Sequence, residues 1–316
     1  MDEGSGSPTL AGLTGRNYLS SADLDCLQTE ALLDLAADLR AGRRRCSLAG
    51  RTLGLIFTKA STRTRVSFTV AMARLGGQTI DLDPSVTQLG RGEPLADTAR
   101  VLSRYLDALA VRTFAQGELE DYARWATIPV INALTDEEHP CQALADYLTL
   151  RDAFGALAGL TLAYVGDGNN VAHSLMLCGA LLGVNVRIGC PEGFQPDPAM
   201  VDRARQLAGD RCAITLQSDP LSAVRGAHGV YTDVWASMGQ ESEQSRREEA
   251  FRGWCLDEAL LSEADSRAIV LHCLPAHRGE EISAGVIEGT ASRVFDQAEN
   301  RLHVQQALLA TLLGGV

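Results

Sequence analysis

The stretch Leu53-Gly54-Leu55-Ile56-Phe57-Thr58-Lys59-Ala60-Ser61-Thr62-Arg63-Thr64-Arg65 passes from an apolar run into a turn rich in hydroxyls and guanidinium groups, and an apolar helical run over 66–75 follows. A strand delivered into a helix N-terminus is the opening half of a βαβ unit. Apolar runs rich in Val, Ile and Leu recur at 79–82, 108–111 and 129–132, and again at 160–165, 184–188, 213–216, 229–232 and 269–272, with longer amphipathic stretches between them. That alternation predicts an α/β fold of mainly parallel sheets flanked by helices. The runs form two groups, and between them lies a helix over 140–154 with Pro140 in its first turn and Leu144, Ala145 and Leu148 on one face. We place the boundary along this bridging helix. Residues 1–146, completed by a C-terminal helix at about 297–316, form one expected domain and 147–296 the other. A first helix is expected over 22–39 behind Ser20 and Ser21 as caps, and the densely charged 240–252 reads as an exposed loop or short helix.

A chain of 316 residues has room for two domains at about 150 residues each. Hydrophobic residues make 46 % and charged residues 22 %, which excludes disordered, collagen-like and coiled-coil readings. The first eight residues carry no basic and apolar signal, so export is not expected. The longest apolar stretch, 175–184, is far short of the roughly 20 residues that span a bilayer, so neither a membrane protein nor a membrane partner is expected. A net charge of −12 disfavours nucleic acid. Eight scattered cysteines without a C-x-x-C pair read as reduced thiols of a cytoplasmic protein, with no zinc site.

The turn at 61–65 offers free backbone N–H groups and the positive end of a helix dipole, to which three hydroxyls and two guanidinium groups add donors. A lone Ser-Thr-Arg would be read as a cap beside a solvated face; five donors in a row favour a phosphate cradle. His139-Pro140-Cys141-Gln142 places His139 and Gln142 three residues apart on one face of a first turn, suited to polarising a carbonyl and holding an amide. Alone, a cap with an incidental His would be the better reading. Gly166-Asp167-Gly168-Asn169-Asn170 resembles the opening of a dinucleotide fingerprint, yet Val171 stands at the third glycine position and the following strand ends in Ile188-Gly189-Cys190-Pro191 without a ribose-binding acid. NAD is therefore disfavoured. Two further loops, 233–241 and 272–278, follow predicted strands, where open sheets bind ligands. Cys273 in the second is either a buried small hydrophobe or a thiol set beside a base.

Taken in order, Ser61-Thr62-Arg63-Thr64-Arg65, His139-Pro140-Cys141-Gln142, Asp233 with Ser237-Met238-Gly239, and His272-Cys273-Leu274-Pro275 resemble the aspartate/ornithine carbamoyltransferase family, the last two motifs being those of its ornithine-using members. The resemblance covers all but about the first fifteen residues. It implies that carbamoyl phosphate is held by Ser61, Thr62, Arg63, Thr64, Arg112, His139 and Gln142, with Gln88 reaching the site of a neighbouring subunit, and with Cys273, Leu274 and Arg301 closing over the reacting centre. It implies that L-ornithine is held by Asn170, Asp233, Ser237 and Met238. Arg112, His139, Asp233, Cys273 and Arg301 are then the catalytic candidates, in a homotrimer or an assembly of trimers that needs neither metal nor organic cofactor. The implied reaction is direct attack of the ornithine side-chain amine on the carbamoyl carbon, giving citrulline and phosphate, in arginine biosynthesis or its reverse. The resemblance also implies a cis Leu274-Pro275 bond. Thr58 and Thr69 stand where family members commonly carry acids. Aspartate, putrescine or acetylornithine as acceptor, an NAD-dependent oxidoreductase, and a non-catalytic anion-binding module are the alternatives.

Overall fold

The computed structural model describes residues 8–83, 92–236 and 244–316; Gln88, Ser237 and Met238 fall outside the described residues. The chain divides into two compact units, Met1–Leu144 with Arg301–Val316, and Ala145–Asn300. The division falls within two helices, Pro140–Phe154 and Val294–Leu312.

In the first unit the strands are β1 (Thr52–Phe57), β2 (Gln78–Asp81), β3 (Ala108–Arg112) and β4 (Val130–Leu134). They form a four-stranded parallel sheet in the order β2-β1-β3-β4. β3 and β4 are buried at every position, which is why they read as unbroken apolar runs and not as alternations. Ile56, Leu109, Val111, Leu119, Tyr122 and Val130 pack together in the core beside this sheet. From β1 the chain winds toward β2, and from β3 it winds the other way toward β4. The reversal leaves the ends of β1 and β3 uncovered by crossover helices, the position where open α/β sheets bind ligands. Phe57 is paired with Arg112, so the loop after β1 and the Arg112 side chain leave the sheet together. Pairing with β4 shifts register between Val111 and Arg112, an irregularity of the kind that re-aims a side chain.

In the second unit β5 (Thr161–Val165), β6 (Asn185–Gly189), β7 (Ile214–Gln217), β8 (Gly229–Thr232) and β9 (Ile269–Leu271) form a parallel sheet in the order β7-β6-β5-β8-β9. Here the winding reverses between β5 and β8, the strands that lead to Asn169-Asn170 and to Asp233. Val165, Val230, Phe251, Trp254, Val270 and Ile282 form the core.

One expectation changes, and two others gain detail. Ser20 caps only a 3-10 turn, Ser21–Asp23, after which Leu24 is extended; the first long helix is Cys26–Arg40, capped by Asp25 in a reciprocal box with Gln28. Two capping boxes in succession look like one helix start in a sequence. The charged 240–252 contains a helix, Gln244–Ala250, whose Arg247 is buried and ion-paired with Asp167 at 2.7 Å. The fingerprint-like Gly168 has a different cause: a Cβ there would lie 2.2 Å from the Pro196 nitrogen, so the glycine admits a crossing chain. All eight cysteines are free, and no helix among the described residues is long and apolar enough to cross a membrane.

Candidate active site

In the first unit, Ser61 caps the helix Thr62–Arg74, its hydroxyl accepting from the Thr64 N–H at 3.3 Å. Thr62 and Arg63 are exposed at the helix start while Thr64 is buried. Arg65 turns away, pairing with Asp81 and lying over the Phe57 ring, so it leaves the row of five donors. Arg301 enters from the C-terminal segment. Its Nη1 donates to Gln142 Oε1 at 2.8 Å and its Nη2 to Thr64 Oγ1 at 2.9 Å, all three side chains being buried. Arg112 and His139 are buried too. Burial, then the Arg301 and Arg112 charges, hold the His139 imidazole well below its ordinary pKa, so it is neutral near pH 7 and offers a hydrogen bond without a competing charge. Glu138, fully buried, accepts from the Ser20 hydroxyl and the Ser21 N–H, and this anchors the backbone just before His139.

Two residues outside the expected set shape this cradle. Lys59, buried on the loop after β1, pairs with Asp136 from the loop after β4 and sits 4.2 Å from the centre of the Phe114 ring. Its only sequence signal is that it is the one lysine among 28 cations. Thr58, at a position where the family commonly has an acid, donates to the Arg112 carbonyl at 3.2 Å, joining the ends of β1 and β3. Thr69 is exposed.

In the second unit, Asp233 follows β8 and is buried. Its Oδ1 accepts the Cys273 thiol at 3.0 Å and its Oδ2 accepts Asn169 Nδ2 at 3.0 Å. Asn170 is half-buried at the start of the next helix. Burial, then the neighbouring Asp233 charge, push the Cys273 thiol well above its ordinary pKa, so the sulfur is a proton donor and not a thiolate. Leu274 is left-handed, with φ +59, and precedes a cis bond to Pro275, as expected. Leucine rarely adopts that φ; here the Leu274 N–H is held by His272 Nδ1 at 2.9 Å. His272 Nε2 lies 3.1 Å from Glu281 Oε1. Asp233, His272 and Cys273 bring one donor atom each within 4.8 Å, but both His272 nitrogens are engaged, and the thiol is turned to Asp233. His277, Glu280 and Glu281 form a second trio of that spacing, in which Glu281 accepts from His272 and from the His277 N–H at 2.6 Å.

The structure thus gathers Ser61, Thr62, Arg63, Thr64, Arg112, His139, Gln142 and Arg301 in one unit, as donors suited to an anion and a polarised carbonyl. It gathers Asn170, Asp233, Cys273 and Leu274 in the other, with a carboxylate suited to an ammonium group. Residues 16–152 match the family model described as "Aspartate/ornithine carbamoyltransferase, carbamoyl-P binding domain", and residues 158–312 the one described as its "Asp/Orn binding domain". The chain belongs to the aspartate/ornithine carbamoyltransferase family, and it is a carbamoyltransferase. A relative from Parasynechococcus marenigrum (strain WH8102), called an ornithine carbamoyltransferase, is 73 % identical over 307 residues, covering 97 % of this chain and 96 % of its own. Crystallised ornithine carbamoyltransferase from Gloeobacter violaceus is 56 % identical with a TM-score of 0.88, over 95 % of this chain and 99 % of that one. The enzyme of the same name from Pyrococcus furiosus is 48 % identical with a TM-score of 0.92, over 96 % and 99 %.

Proposed function

We propose that the protein transfers the carbamoyl group of carbamoyl phosphate to the side-chain amine of L-ornithine, giving L-citrulline and phosphate. One observation carries the reading of the first substrate: Arg301 joins Thr64 to Gln142 by hydrogen bonds of 2.9 and 2.8 Å, and Arg301 and Arg112 are both close enough to depress His139. Phosphate is held by Ser61, Thr62, Arg63 and Thr64 with Arg112, whose planar guanidinium groups match its oxygens. His139, Gln142 and Arg301 address the carbamoyl group. Attack by a neutral amine forms a tetrahedral oxyanion and expels phosphate, so fixed donors around both charges lower the barrier.

Ornithine is assigned to Asn170 and Asp233, with Ser237 and Met238 added by the family resemblance. Asp233 receives the ammonium end and helps it lose a proton, while the protonated Cys273 orients Asp233 and the amine and forms no covalent adduct. An aspartate substrate would call for cations where Asp233 stands. Family resemblance further supports a cytoplasmic homotrimer, or an assembly of trimers, serving arginine biosynthesis or its reverse. The test is citrulline formation from carbamoyl phosphate across ornithine, aspartate, putrescine and N-acetylornithine: ornithine is the expected acceptor, and faster carbamoylation of any other overturns the assignment.

A further inference from the structure

We propose that Asn169 is a positioning residue for the ornithine step, fixing the Asp233 carboxylate through its side-chain amide while its oxygen caps a helix. The inference deepens the ornithine reading above and rests on it. Asn169 follows β5, and its Oδ1 accepts from the Val171 N–H at 2.9 Å and the Ala172 N–H at 3.3 Å, at the start of the helix Asn170–Leu181. The Tyr164 hydroxyl donates to the same oxygen at 3.4 Å. With the oxygen committed to backbone donors, the sense of the amide is settled and Nδ2 has to be the outward group. It donates to Asp233 Oδ2 at 3.0 Å.

Sheet order gives this contact its meaning. β8 lies between β5 and β9, so Asp233 after β8 is gripped from both neighbouring strand ends, by Asn169 on one side and by Cys273 at 3.0 Å on the other. One donor reaches each carboxylate oxygen, which locks the rotamer in which the remaining lone pairs meet an ammonium group. Serine and aspartate cap helices as well as asparagine does, but neither offers an amide donor. Asn169 is therefore set by two demands at once, of which capping alone would leave the residue type open.

The two demands separate in variants. Asn169→Ser keeps the cap and drops the donor; Asn169→Asp keeps the cap and faces Asp233 with a second carboxylate. The titratable groups around Asp233 are Cys273, His272, Tyr164 and Tyr231, with the buried Asp146 of the helix Pro140–Phe154 acting on Cys273 and Tyr231, Cys190 acting on Tyr164, and the Asp167–Arg247 pair joining the loop after β5 to the helix Gln244–Ala250. For both variants we expect melting temperatures near wild type, unchanged equilibrium binding of carbamoyl phosphate, and kcat/KM for ornithine lowered at least about tenfold, the scale of one hydrogen bond to a charged group. For Asn169→Asp the acid limb of that parameter moves to higher pH, because two adjacent carboxylates share a proton. Ornithine kinetics within twofold of wild type in Asn169→Ser, or an unmoved acid limb in Asn169→Asp, overturn the inference, as does equal loss of carbamoyl phosphate binding. A wild-type enzyme that makes no citrulline would instead sink the ornithine reading itself, so the two failures are told apart.

Discussion

Arg63 and His139 show how position decides what a side chain does. Arg63 stands exposed in the first turn of its helix, where its charge adds to free N–H groups, and Arg63→Ala is expected to lower carbamoyl transfer by at least about a hundredfold, with carbamoyl phosphate binding lost in the same variant; near-normal turnover would count against the cradle. His139 is buried among Arg112 and Arg301 and stays neutral below its usual pKa of 6.5. Between that value and the lower folded one, the unfolded chain takes up a proton that the folded chain refuses, so stability falls as pH drops through this window, by up to about 1.4 kcal/mol per pH unit. Thermal melts of wild type and His139→Gln between pH 7.5 and 5.5 check this: the variant should lose less of its melting temperature on acidification. Cys273 makes a third case. Its raised pKa means slow alkylation by iodoacetamide at pH 7, and a carbamoyl–Cys273 adduct trapped on the reaction path would overturn its orienting role.

Among the elements, the inner strands β3, β4, β5 and β8 were legible because parallel strands buried on both faces are near-continuous apolar runs. The elements that misled did so for local reasons. Ser20 and Asp25 are both good caps, and only the extended Leu24 between them separates a 3-10 turn from the helix Cys26–Arg40. Asp25→Ala is therefore expected to cost about 1 kcal/mol, read as a melting temperature lower by a few degrees with KM for both substrates unchanged. An unchanged melt would mean that Ser20 carries the start. Gly168 looked like part of a dinucleotide loop because sequence cannot reveal the Pro196 backbone packed over it. Motif residues within one loop, such as Ser61 to Thr64, were readable together. The Arg301 bonds to Thr64 and Gln142 cross 237 and 159 positions, a separation no local pattern encodes; Arg301 entered by resemblance. The Asn169 contact with Asp233 is not legible in sequence, because it depends on β5 and β8 being neighbours; Asn170 is named by the resemblance.

The molecule as a whole carries a charge of −12 and yet sets the buried Arg112 and Arg301 beside His139, where the proposed function has an anion bind. Buried groups are screened little by salt, so on the proposed reading the buried Arg112 and Arg301 outweigh the net charge, which acts only at long range. In each unit the strands flanking the reversal of winding lead to candidate residues, β1 and β3 to Ser61–Thr64 and Arg112, β5 and β8 to Asn170 and Asp233, and the two sets have opposite electrostatic character: cations and amides in one, a carboxylate with a thiol in the other. On the proposed reading this contrast assigns the anion to one unit and the ammonium group to the other. Asp233→Asn tests it most directly when carbamoyl phosphate binding is measured at equilibrium alongside kcat/KM for ornithine. Carbamoyl phosphate affinity within twofold of wild type, with ornithine kcat/KM down by at least about a hundredfold, is the expected result; parallel loss of both would contradict it.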